Sequence, residues 1–398
     1  MSALGRPAWP QHERSGSWIT DDSGNRLLAW HISGGVFNLG FADRPMAEAV
    51  AAVITGHDAG LWSMRSQRRA EGEQRFSRLF PPPLDDTVFT PSASEAFEVA
   101  CKLAKRHTGR PGLVSMTGGY YGAIGFAMAM DDPALHPEIY GPLAGPIPKA
   151  RYGSVEDLEA LVDESTAAVC VEAIQIPTGV REAPPGYLRE VRRICDERGA
   201  LLICDEVQAG LYRSGDRWAF EGHRIVPDIV VTGKGLSGGY YPIGALSFSK
   251  DLRRHFLGRP PLHRSSFMGG EIAAQIAGLV ADRYQDRELA AHVLAQADRL
   301  GSGLEAIRRA HPDTVVDLRG RGLIYGVQLG RPVASELVSL CWERGLFLHA
   351  SIDPTTVVVM PPLVSTAEEI DTGLDRFADA VSELSRAAGP DTGGSRNG

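Results

Sequence analysis

The chain has 398 residues, of which 43% are hydrophobic and 23% charged, and its 41 basic and 49 acidic side chains give a formal net charge of −8. This composition is ordinary for a globular protein, and the length leaves room for two or three packed units. With an acidic balance and no basic stripe, the chain is not expected to bind nucleic acid. No apolar run approaches the ~18 residues of a membrane span and the N-terminus has no charged-then-apolar leader, so we expect a cytoplasmic protein without a membrane partner.

The cysteines are scattered and odd in number, without the CxxC spacing of zinc or redox sites. We expect reduced core thiols, with neither a disulfide framework nor a metal site. The residues are Cys101, Cys170, Cys195, Cys204 and Cys341.

Apolar runs and turn residues divide the chain into predicted elements. Before the Pro81–Pro83 break, the pattern predicts a short strand and turn at Trp30–Gly35 and a helix over Met46–Ile54. The elements predicted next are strand Thr87–Thr90, helix Ser94–His107, strands Gly112–Met116 and Ala167–Ile174, helix Gly186–Arg198, and strands Ala200–Cys204, Asp228–Gly233 and Gly244–Ser249. A long helical stretch Glu271–Arg309, a mixed β/α region Val315–Val381 and a Gly-, Pro- and Ser-rich disordered tail follow.

Two of these strands have the composition of strands buried on both faces. Ala168–Val171 and Leu201–Cys204 are unbroken apolar runs, unlike the alternating pattern of a half-exposed strand. Their alternation with helices predicts an α/β protein with a mostly parallel central sheet.

Lys234 is one of only five lysines and lies in a glycine-rich turn, Thr232–Gly239. Upstream, Asp205 directly follows the apolar run Leu201–Cys204, at a strand end where open α/β sheets bind ligands. Pyridoxal phosphate requires such a pair: a lysine that holds its aldehyde as a Schiff base and a carboxylate that keeps its ring nitrogen protonated. If each residue is considered alone, the alternatives are that Asp205 is a carboxylate that caps a turn and that Lys234 is an ordinary loop residue. The remaining lysines, Lys102, Lys105, Lys149 and Lys250, are interpreted as solvated charges.

The segment Thr90–Ala96 closes a strand and opens a helix. Ser92 or Ser94 can cap this helix, whose free N–H groups and positive dipole end favour an anion such as a phosphate. Taken alone, an ordinary N-cap with Glu95 three residues after Ser92 explains the segment better.

Tyr120 and Tyr121 lie in a second glycine-rich turn, Gly118–Gly122, after a predicted strand. One of them can stack on a planar ring. A surface tyrosine is an equally good interpretation of this segment alone.

Together these residues resemble the class III aminotransferases (ornithine aminotransferase-like, subgroup II), which are fold type I pyridoxal-phosphate enzymes. The similarity runs from about Gly16 to Val381 and is most specific over Leu201–Ala245. It implies a large cofactor-binding domain, residues 51–282, with the mostly parallel sheet. A smaller α/β domain is implied for residues 1–50 and 283–385, followed by the tail, residues 386–398.

The resemblance also implies roles for single residues. Lys234 holds the cofactor, Asp205 pairs with the pyridine nitrogen, Val207 packs under the ring and Gln208 lies near the ring hydroxyl. The other implied cofactor-binding residues are the phosphate-binding Ser92, Ala93 and Ser94, with alanine in place of the family's glycine, the stacking Tyr120, and Glu172.

His263–Gly270 is similar to the family loop whose hydroxyl residue contacts the phosphate bound in the neighbouring subunit. Ser266 replaces the usual threonine and offers the same hydrogen-bonding group. The resemblance therefore implies a homodimer with two shared sites. A simple turn serine is the alternative.

Two positions depart from the family pattern. Family members that use 2-oxoglutarate bind its α-carboxylate with an arginine just before the Pro-Pro of the C-terminal domain, where this chain has Val358. The glutamate that pairs with that arginine is replaced by Pro177. The arginine and the glutamate are both missing, as expected if one was lost, because the other would then be a buried charge without a partner. A misalignment by one or two residues is the alternative, although no arginine occurs between Gly345 and Leu363.

The missing arginine bears on the substrate, because a bidentate arginine is the natural partner of a carboxylate. Either the substrate lacks an α-carboxylate or another residue binds it. Arg65 is a candidate for a relocated anchor, and a surface arginine is its alternative. Trp62, Tyr121 and Tyr212 are further candidates for the substrate pocket.

The favoured function is an aminotransferase that acts on an amine, amino acid, amino sugar or natural-product intermediate and a carbonyl acceptor. An amino-acid racemase, epimerase or aminomutase on the same scaffold is the alternative, because such enzymes need no second acceptor. A non-catalytic cofactor-binding protein is disfavoured by the intact lysine, carboxylate and phosphate segment.

Overall fold

The computed structural model describes residues 11–60, 64, 66–136, 147–256 and 260–387. The strands are β1 Gln11–Ser15, β2 Trp18–Asp21, β3 Arg26–Ala29, β4 Asp86–Thr90, β5 Gly112–Met116, β6 Lys149–Ala150, β7 Thr166–Glu172, β8 Ile174–Gln175, β9 Arg181–Glu182, β10 Leu201–Asp205, β11 Ile229–Thr232, β12 Gly244–Phe248, β13 Val315–Arg321, β14 Ile324–Leu329, β15 Leu346–Phe347, β16 His349–Ala350 and β17 Thr356–Val359. The α-helices are α1 Arg44–Gly56, α2 Gln67–Ser77, α3 Ala93–Thr108, α4 Gly125–Met130, α5 Val155–Leu161, α6 Tyr187–Arg198, α7 Ala219–Gly222, α8 Lys250–Arg253, α9 Glu271–Tyr284, α10 Arg287–Ala310, α11 Ala334–Glu343 and α12 Ala367–Ala387.

The central sheet has seven strands in the order β4-β12-β11-β10-β7-β5-β6. β12 runs antiparallel to both of its neighbours, while the pairs β11-β10, β10-β7, β7-β5 and β5-β6 are parallel. The sheet is therefore mostly parallel, as predicted. Because β4, β5, β7, β10 and β11 run in the same direction, their carboxyl ends meet at one edge.

Both faces of this sheet are covered, which explains the unbroken apolar runs. In β7, Ala168 and Cys170 belong to a core on the α3 side, whereas Val169 and Val171 belong to the core on the opposite side. α3 packs against β7, β11 and β12, and α6 packs against β7 and β10. All five cysteines are buried and free.

Besides the central sheet and the two-stranded sheet β8-β9, the described chain contains two four-stranded sheets. One is antiparallel, in the order β13-β14-β17-β16. The other, β1-β2-β3-β15, joins the two ends of the chain, because Leu28 and Ala29 of β3 pair with Leu346 and Phe347 of β15. This pairing supports a domain built from N- and C-terminal segments, although the domain limits remain a prediction.

The predicted elements differ from the structure in several places, and short helices such as α4 and α5 were not predicted at all. β3 ends at Ala29, so the segment predicted as a strand from Trp30 is irregular. The stretch predicted as one helix over Glu271–Arg309 is two helices, because Asp286 caps α10 by accepting a hydrogen bond from the Glu288 amide. α2 was not predicted, since its sequence is mostly polar. The first two residues of the tail predicted over 386–398 are helical, because α12 continues through Ala387; residues 388–398 lie outside the described residues.

No helix in the described part of the chain has both the length and the apolar character needed to cross a membrane.

Candidate active site

The carboxyl edge of the central sheet carries a cleft of about 480 Å³. Its walls come from the segments that follow β4, β5, β10 and β11 and from the end of β7. Most of the predicted cofactor and substrate residues line this cleft together: Ser92, Ala93, Ser94, Tyr120, Tyr121, Glu172, Asp205, Val207, Gln208 and Lys234. Residues far apart in sequence thus meet as the parallel topology requires.

Lys234 projects from a single 3-10 turn that directly follows β11. Its backbone has a positive φ of 47°, and its Nζ donates a hydrogen bond of 3.0 Å to Oε1 of Gln208. The preceding residue must be glycine, because a Cβ on Gly233 would lie 2.7 Å from the Cβ of Ala93. Burial lowers the pKa of Lys234, and the carboxylates of Asp205 and Glu172 oppose that shift. The amine therefore loses its proton more readily than an exposed lysine does.

Asp205 and Glu172 form a pair of buried carboxyl groups opposite the lysine. They are register partners on the adjacent parallel strands β10 and β7, and they are only 6% and 5% exposed. Oδ1 of Asp205 accepts a hydrogen bond of 2.9 Å from the Val207 amide, yet burial raises the pKa of Asp205 to about 7. Burial and the nearby charge of Asp205 raise the pKa of Glu172 well above its usual range. The two carboxyl groups together therefore favour a state with a single negative charge. A cation beside Asp205 would stabilise that charge on Asp205.

The loop carrying Tyr120 and Tyr121 is held by acidic side chains. The Tyr120 amide donates to Oε2 of Glu172 at 3.0 Å, and the Tyr121 amide donates to Oδ1 of Asp131. Asp131 also binds Nε2 of His136 at 2.7 Å, and burial raises the pKa of Asp131 to about 6. The Tyr121 hydroxyl donates to the carbonyl of a core residue, Cys170, so only its ring is available to the cleft.

The N-terminus of α3 closes the other end of the cleft. Ser92 caps the helix, since its Oγ accepts a hydrogen bond of 3.2 Å from the Glu95 amide. Oγ of Ser94 accepts one of 3.3 Å from the Ala123 amide. A Cβ on Gly122 would lie 2.4 Å from that Oγ, so a side chain on residue 122 would fill the space beside the N-terminus of α3. First-turn amides and the helix dipole suit an anion here.

This set of groups fits pyridoxal phosphate. An amine, a buried carboxylate and an aromatic ring surround a space with a helix N-terminus at its end, which matches the aldehyde, pyridine nitrogen, ring and phosphate of the cofactor. No cluster of His, Cys, Asp or Glu suited to a metal ion occurs among the described residues.

A second, smaller pocket of about 200 Å³ opens beside the cleft; we call it the side pocket. Its walls include Pro177 and Val358, the two positions that depart from the family pattern. A misalignment by one or two residues at either position would still place no glutamate or arginine there. Gln208 lines both pockets, and a Cβ on Gly34, another wall residue, would lie 3.2 Å from Nζ of Lys234.

Several predicted residues lie elsewhere. Ser266 is exposed and does not line the cleft within the described chain. The Tyr212 hydroxyl accepts a hydrogen bond of 3.3 Å from Arg217, and Tyr212 lines neither described pocket. Trp62 and Arg65 fall outside the described residues.

Lys149 is not the solvated charge that the sequence suggested. Its Nζ donates to the carbonyls of Ala129 at 3.0 Å and Ile147 at 3.3 Å. Burial lowers the pKa of Lys149.

Some residues of the site were missed by the sequence analysis. Tyr240 and Tyr241 line the cleft, and they could have been found from their position just after the lysine turn. His31 and His349 line the side pocket, with ring centroids 4.8 Å apart. No spacing or motif connects these two histidines to Lys234.

Comparison with known proteins agrees with this geometry. Residues 5–381 match the family described as aminotransferase class III. The chain belongs to the class-III aminotransferase family. An "uncharacterized aminotransferase" of Archaeoglobus fulgidus is 34% identical over 370 residues, covering 92% of this chain and 87% of that protein. An acetylornithine aminotransferase of Methanopyrus kandleri is 33% identical over 369 residues, covering 92% of each.

The fold of this class-III aminotransferase is similar to that of a solved relative. The crystal structure of an (S)-enantioselective omega-transaminase from Thermomicrobium roseum matches with a TM-score of 0.86 and 25% identity, covering 96% of this chain and 94% of that one. Class-III aminotransferases use pyridoxal phosphate. The predicted fold class, cofactor and aminotransferase activity are thereby confirmed.

Proposed function

We propose that this aminotransferase takes its amino group from an amine, amino sugar or natural-product intermediate that is not bound through an α-carboxylate, and passes it to a carbonyl acceptor. The observation that supports this is the side pocket shared by Pro177 and Val358. The resemblance assigns to these positions the glutamate and the arginine that bind an α-carboxylate, and neither residue of this chain carries a charge. A carboxylate buried there would find no lysine or arginine among the described wall residues, and a buried charge without a partner costs several kcal/mol.

The same proposal assigns the cofactor contacts within the cleft. Lys234 holds the cofactor covalently, Asp205 stabilises the positive charge of the ring nitrogen, and Tyr120 stacks on the ring. When bound, pyridoxal phosphate supplies an electrophilic carbon for the amine and an electron-poor ring that stabilises negative charge on the substrate carbon. The remaining contacts are Val207 under the ring, Gln208 near its hydroxyl, Glu172 behind Tyr120, and Ser92, Ala93 and Ser94 at the phosphate.

Lys234 also moves the proton in this proposal. Burial lowers its pKa, so a larger fraction of its side chain is neutral and able to accept a proton from the substrate carbon. The hydrogen bond to Gln208 orients Nζ towards the junction of the cleft and the side pocket. A proton taken at this point can be returned at a neighbouring atom by the same amine.

A homodimer with shared sites is part of the proposal. Ser266 lies in an exposed loop that is fixed at both ends: His263 binds Oε1 of Glu95 at 3.1 Å, and the Gly269 amide donates to the Phe89 carbonyl at 2.8 Å. Next to it, Phe267 is 53% exposed. A fixed loop with an exposed hydroxyl and an exposed aromatic ring suits a contact with the partner subunit. Sedimentation that finds an active monomer with full cofactor occupancy would contradict this assignment.

The experiment that tests the transfer is a panel of amino donors mixed with the purified holoenzyme, with the absorbance of the bound cofactor as the readout. We expect amines without an α-carboxylate to change the spectrum, and N-acetylornithine, named for the Methanopyrus relative, to react poorly. A spectral change with N-acetylornithine alone would contradict the proposed substrate class, and no change with any donor would contradict amino transfer.

Dependence on an acceptor separates transfer from the racemase, epimerase or aminomutase alternative. With a reactive donor, we expect turnover only when a carbonyl acceptor is added, with one amine formed for each one consumed. Product formed in the absence of any acceptor would favour the alternative.

A further inference from the structure

The loop Gly118–Gly122, which we call the tyrosine loop, is held at its backbone by three carboxyl groups. Amides of this loop donate hydrogen bonds no longer than 3.0 Å to the side chains of Asp131, Asp132 and Glu172. The loop belongs to no helix or strand, so neither a sheet nor a helix fixes its backbone. Its position in the cleft therefore depends on these side chains.

Two of the three carboxyl groups are consecutive residues at the end of α4. Asp132 accepts a hydrogen bond of 2.6 Å from the Gly118 amide, and its own amide donates to the Gly119 carbonyl at 2.9 Å. Asp131 accepts a hydrogen bond from the Tyr121 amide. The segment after α4 thus binds the tyrosine loop both at its beginning and near its end.

The last turn of α4 is itself attached to the central sheet. Oγ of Ser115, in β5, donates to the Met130 carbonyl at 2.9 Å. Nζ of Lys149, in β6, donates to the Ala129 carbonyl at 3.0 Å. The two aspartates therefore extend from a fixed helix end, which gives the tyrosine loop a firm support.

Asp131 has one ion-pair partner in the described chain, which is His136. The Asp131 side chain has no exposed surface, and its Oδ2 lies 2.7 Å from Nε2 of His136, whose side chain is 15% exposed. The other charged groups that act on Asp131 are the carboxyl groups of Glu172 and Asp205 and the amine of Lys149. A buried carboxylate near two others needs a partner, and His136 provides it.

We infer that Asp131 and His136 are positioning residues, which fix the tyrosine loop so that Tyr120 is in place to stack on the cofactor ring. Neither Asp131 nor His136 lines the cleft, so both act through the loop. The inference rests on the proposed stacking of Tyr120 and extends it, because a loop that is already ordered loses less conformational freedom when the cofactor binds.

The test measures two properties of the full-length protein. These are the hydrogen exchange of peptides that cover the tyrosine loop, without cofactor, and the dissociation constant of pyridoxal phosphate. In D131A, which removes the acceptor of the Tyr121 amide, we expect loop exchange to be at least about 10-fold faster and the dissociation constant to rise about 10-fold. D131N keeps an oxygen for that amide, so both quantities should stay within about 3-fold of wild type.

His136 is tested by H136A, alone and combined with D131A. We expect H136A to raise both quantities by about 5-fold, and the double variant to differ from D131A by less than about 2-fold, because His136 acts through Asp131. The matched control is D371A, since Asp371 is exposed on α12 and pairs with Arg299 at 2.7 Å, away from the cleft. We expect no change in D371A.

Wild-type exchange in both D131A and H136A, or exchange that rises as much in α12 as in the tyrosine loop, would overturn the inference. Faster loop exchange with an unchanged dissociation constant would overturn the connection to the cofactor. If D131A does not fold, H136A decides the matter alone, because it keeps the carboxylate that binds the loop. Neither measurement uses turnover, so the test stands even if no amine in the donor panel reacts, and its failure leaves amino transfer in place.

Discussion

The cleft and the side pocket meet at Gln208, yet their walls have opposite character. The cleft brings an amine and two buried carboxyl groups together, and the pKa values of all three are shifted by burial. The described walls of the side pocket carry no such charge, and both departures from the family pattern lie there. In the proposed function the two tasks are therefore separable: the cleft provides the reaction, and the uncharged Pro177 and Val358 of the side pocket disfavour a carboxylate beside the reacting amine.

A buried arginine connects the two regions. Arg213 is fully buried, and its guanidinium donates to Oδ1 of Asn38 at 2.7 Å and to the Pro361 carbonyl at 2.6 Å. Asn38 in turn packs against the lysine turn, since a Cβ on Gly235 would lie 2.8 Å from its amide nitrogen. Pro361 directly follows Met360 of the side pocket. Burial lowers the pKa of Arg213 to about 9. The lysine turn and the side pocket are therefore connected through the hydrogen bonds of Arg213 and the packing of Asn38 against Gly235.

The largest effect is expected in the cleft. Lys234→Ala removes both the covalent anchor and the proton carrier, so we expect transamination to fall by at least about 10,000-fold. The matched control is K250A, because Lys250 is exposed and pairs with Asp85 at 3.2 Å, away from the cleft. Steady-state rates with a reactive amine decide the matter; K234A activity close to that of K250A would show that the lysine is not catalytic.

Asp205→Asn comes next, because an amide cannot neutralise a protonated ring nitrogen. Loss of one partner of a buried charge pair costs about 3–5 kcal/mol, which corresponds to a fall in kcat of about 150- to 5,000-fold. The measurement is the rate of spectral change of the holoenzyme in a single turnover. A rate within a factor of about three of wild type would remove Asp205 from the mechanism.

The same variant has a pH-dependent effect on the stability of the protein stripped of cofactor. Burial raises the pKa of Asp205 from 3.8 to about 7, so its neutral form stabilises the fold below about pH 4 and that contribution is lost as the pH rises through 7. Urea unfolding should therefore find D205N more stable than wild type at pH 8, by up to about 4 kcal/mol, and nearly equal to it at pH 4.5. A stability difference that does not change with pH would contradict the raised pKa.

The smallest effect is expected at the neighbouring carboxyl group. Burial and the charge of Asp205 raise the pKa of Glu172 well above its usual range, which favours its neutral form, and glutamine resembles that form in shape and charge. Glu172→Gln keeps an oxygen for the Tyr120 amide and should change kcat/KM by less than about 3-fold. If E172Q lost as much activity as D205N, both carboxyl groups would have to be ionised.

Much of the large sheet could be predicted from local sequence. β5 has the predicted limits Gly112–Met116, and β10, Leu201–Asp205, is shifted by one residue from the predicted Ala200–Cys204. Buried strands and amphipathic helices such as α3 leave a local apolar pattern. α2 leaves none, because it is mostly polar and its close packing depends on Gly72, where a Cβ would lie 2.3 Å from the Ala274 carbonyl oxygen. That contact depends on tertiary structure.

In the site, too, some residues could be found from local sequence, whereas other features depend on the tertiary structure. Lys234 and Asp205 could be found because each stands beside a recognisable strand end or glycine turn. The pairing of Asp205 with Glu172 depends on strand register, and the meeting of His31 with His349 depends on chain segments more than 300 residues apart in sequence. The raised pKa of Asp205 arises from burial, which no local pattern encodes.

The most direct test of the account is to treat the holoenzyme with borohydride and map the modified peptide by mass spectrometry. We predict a single phosphopyridoxyl label on Lys234, within the turn Thr232–Gly239. A label on any of the other four lysines, Lys102, Lys105, Lys149 or Lys250, or no label at all, would contradict it.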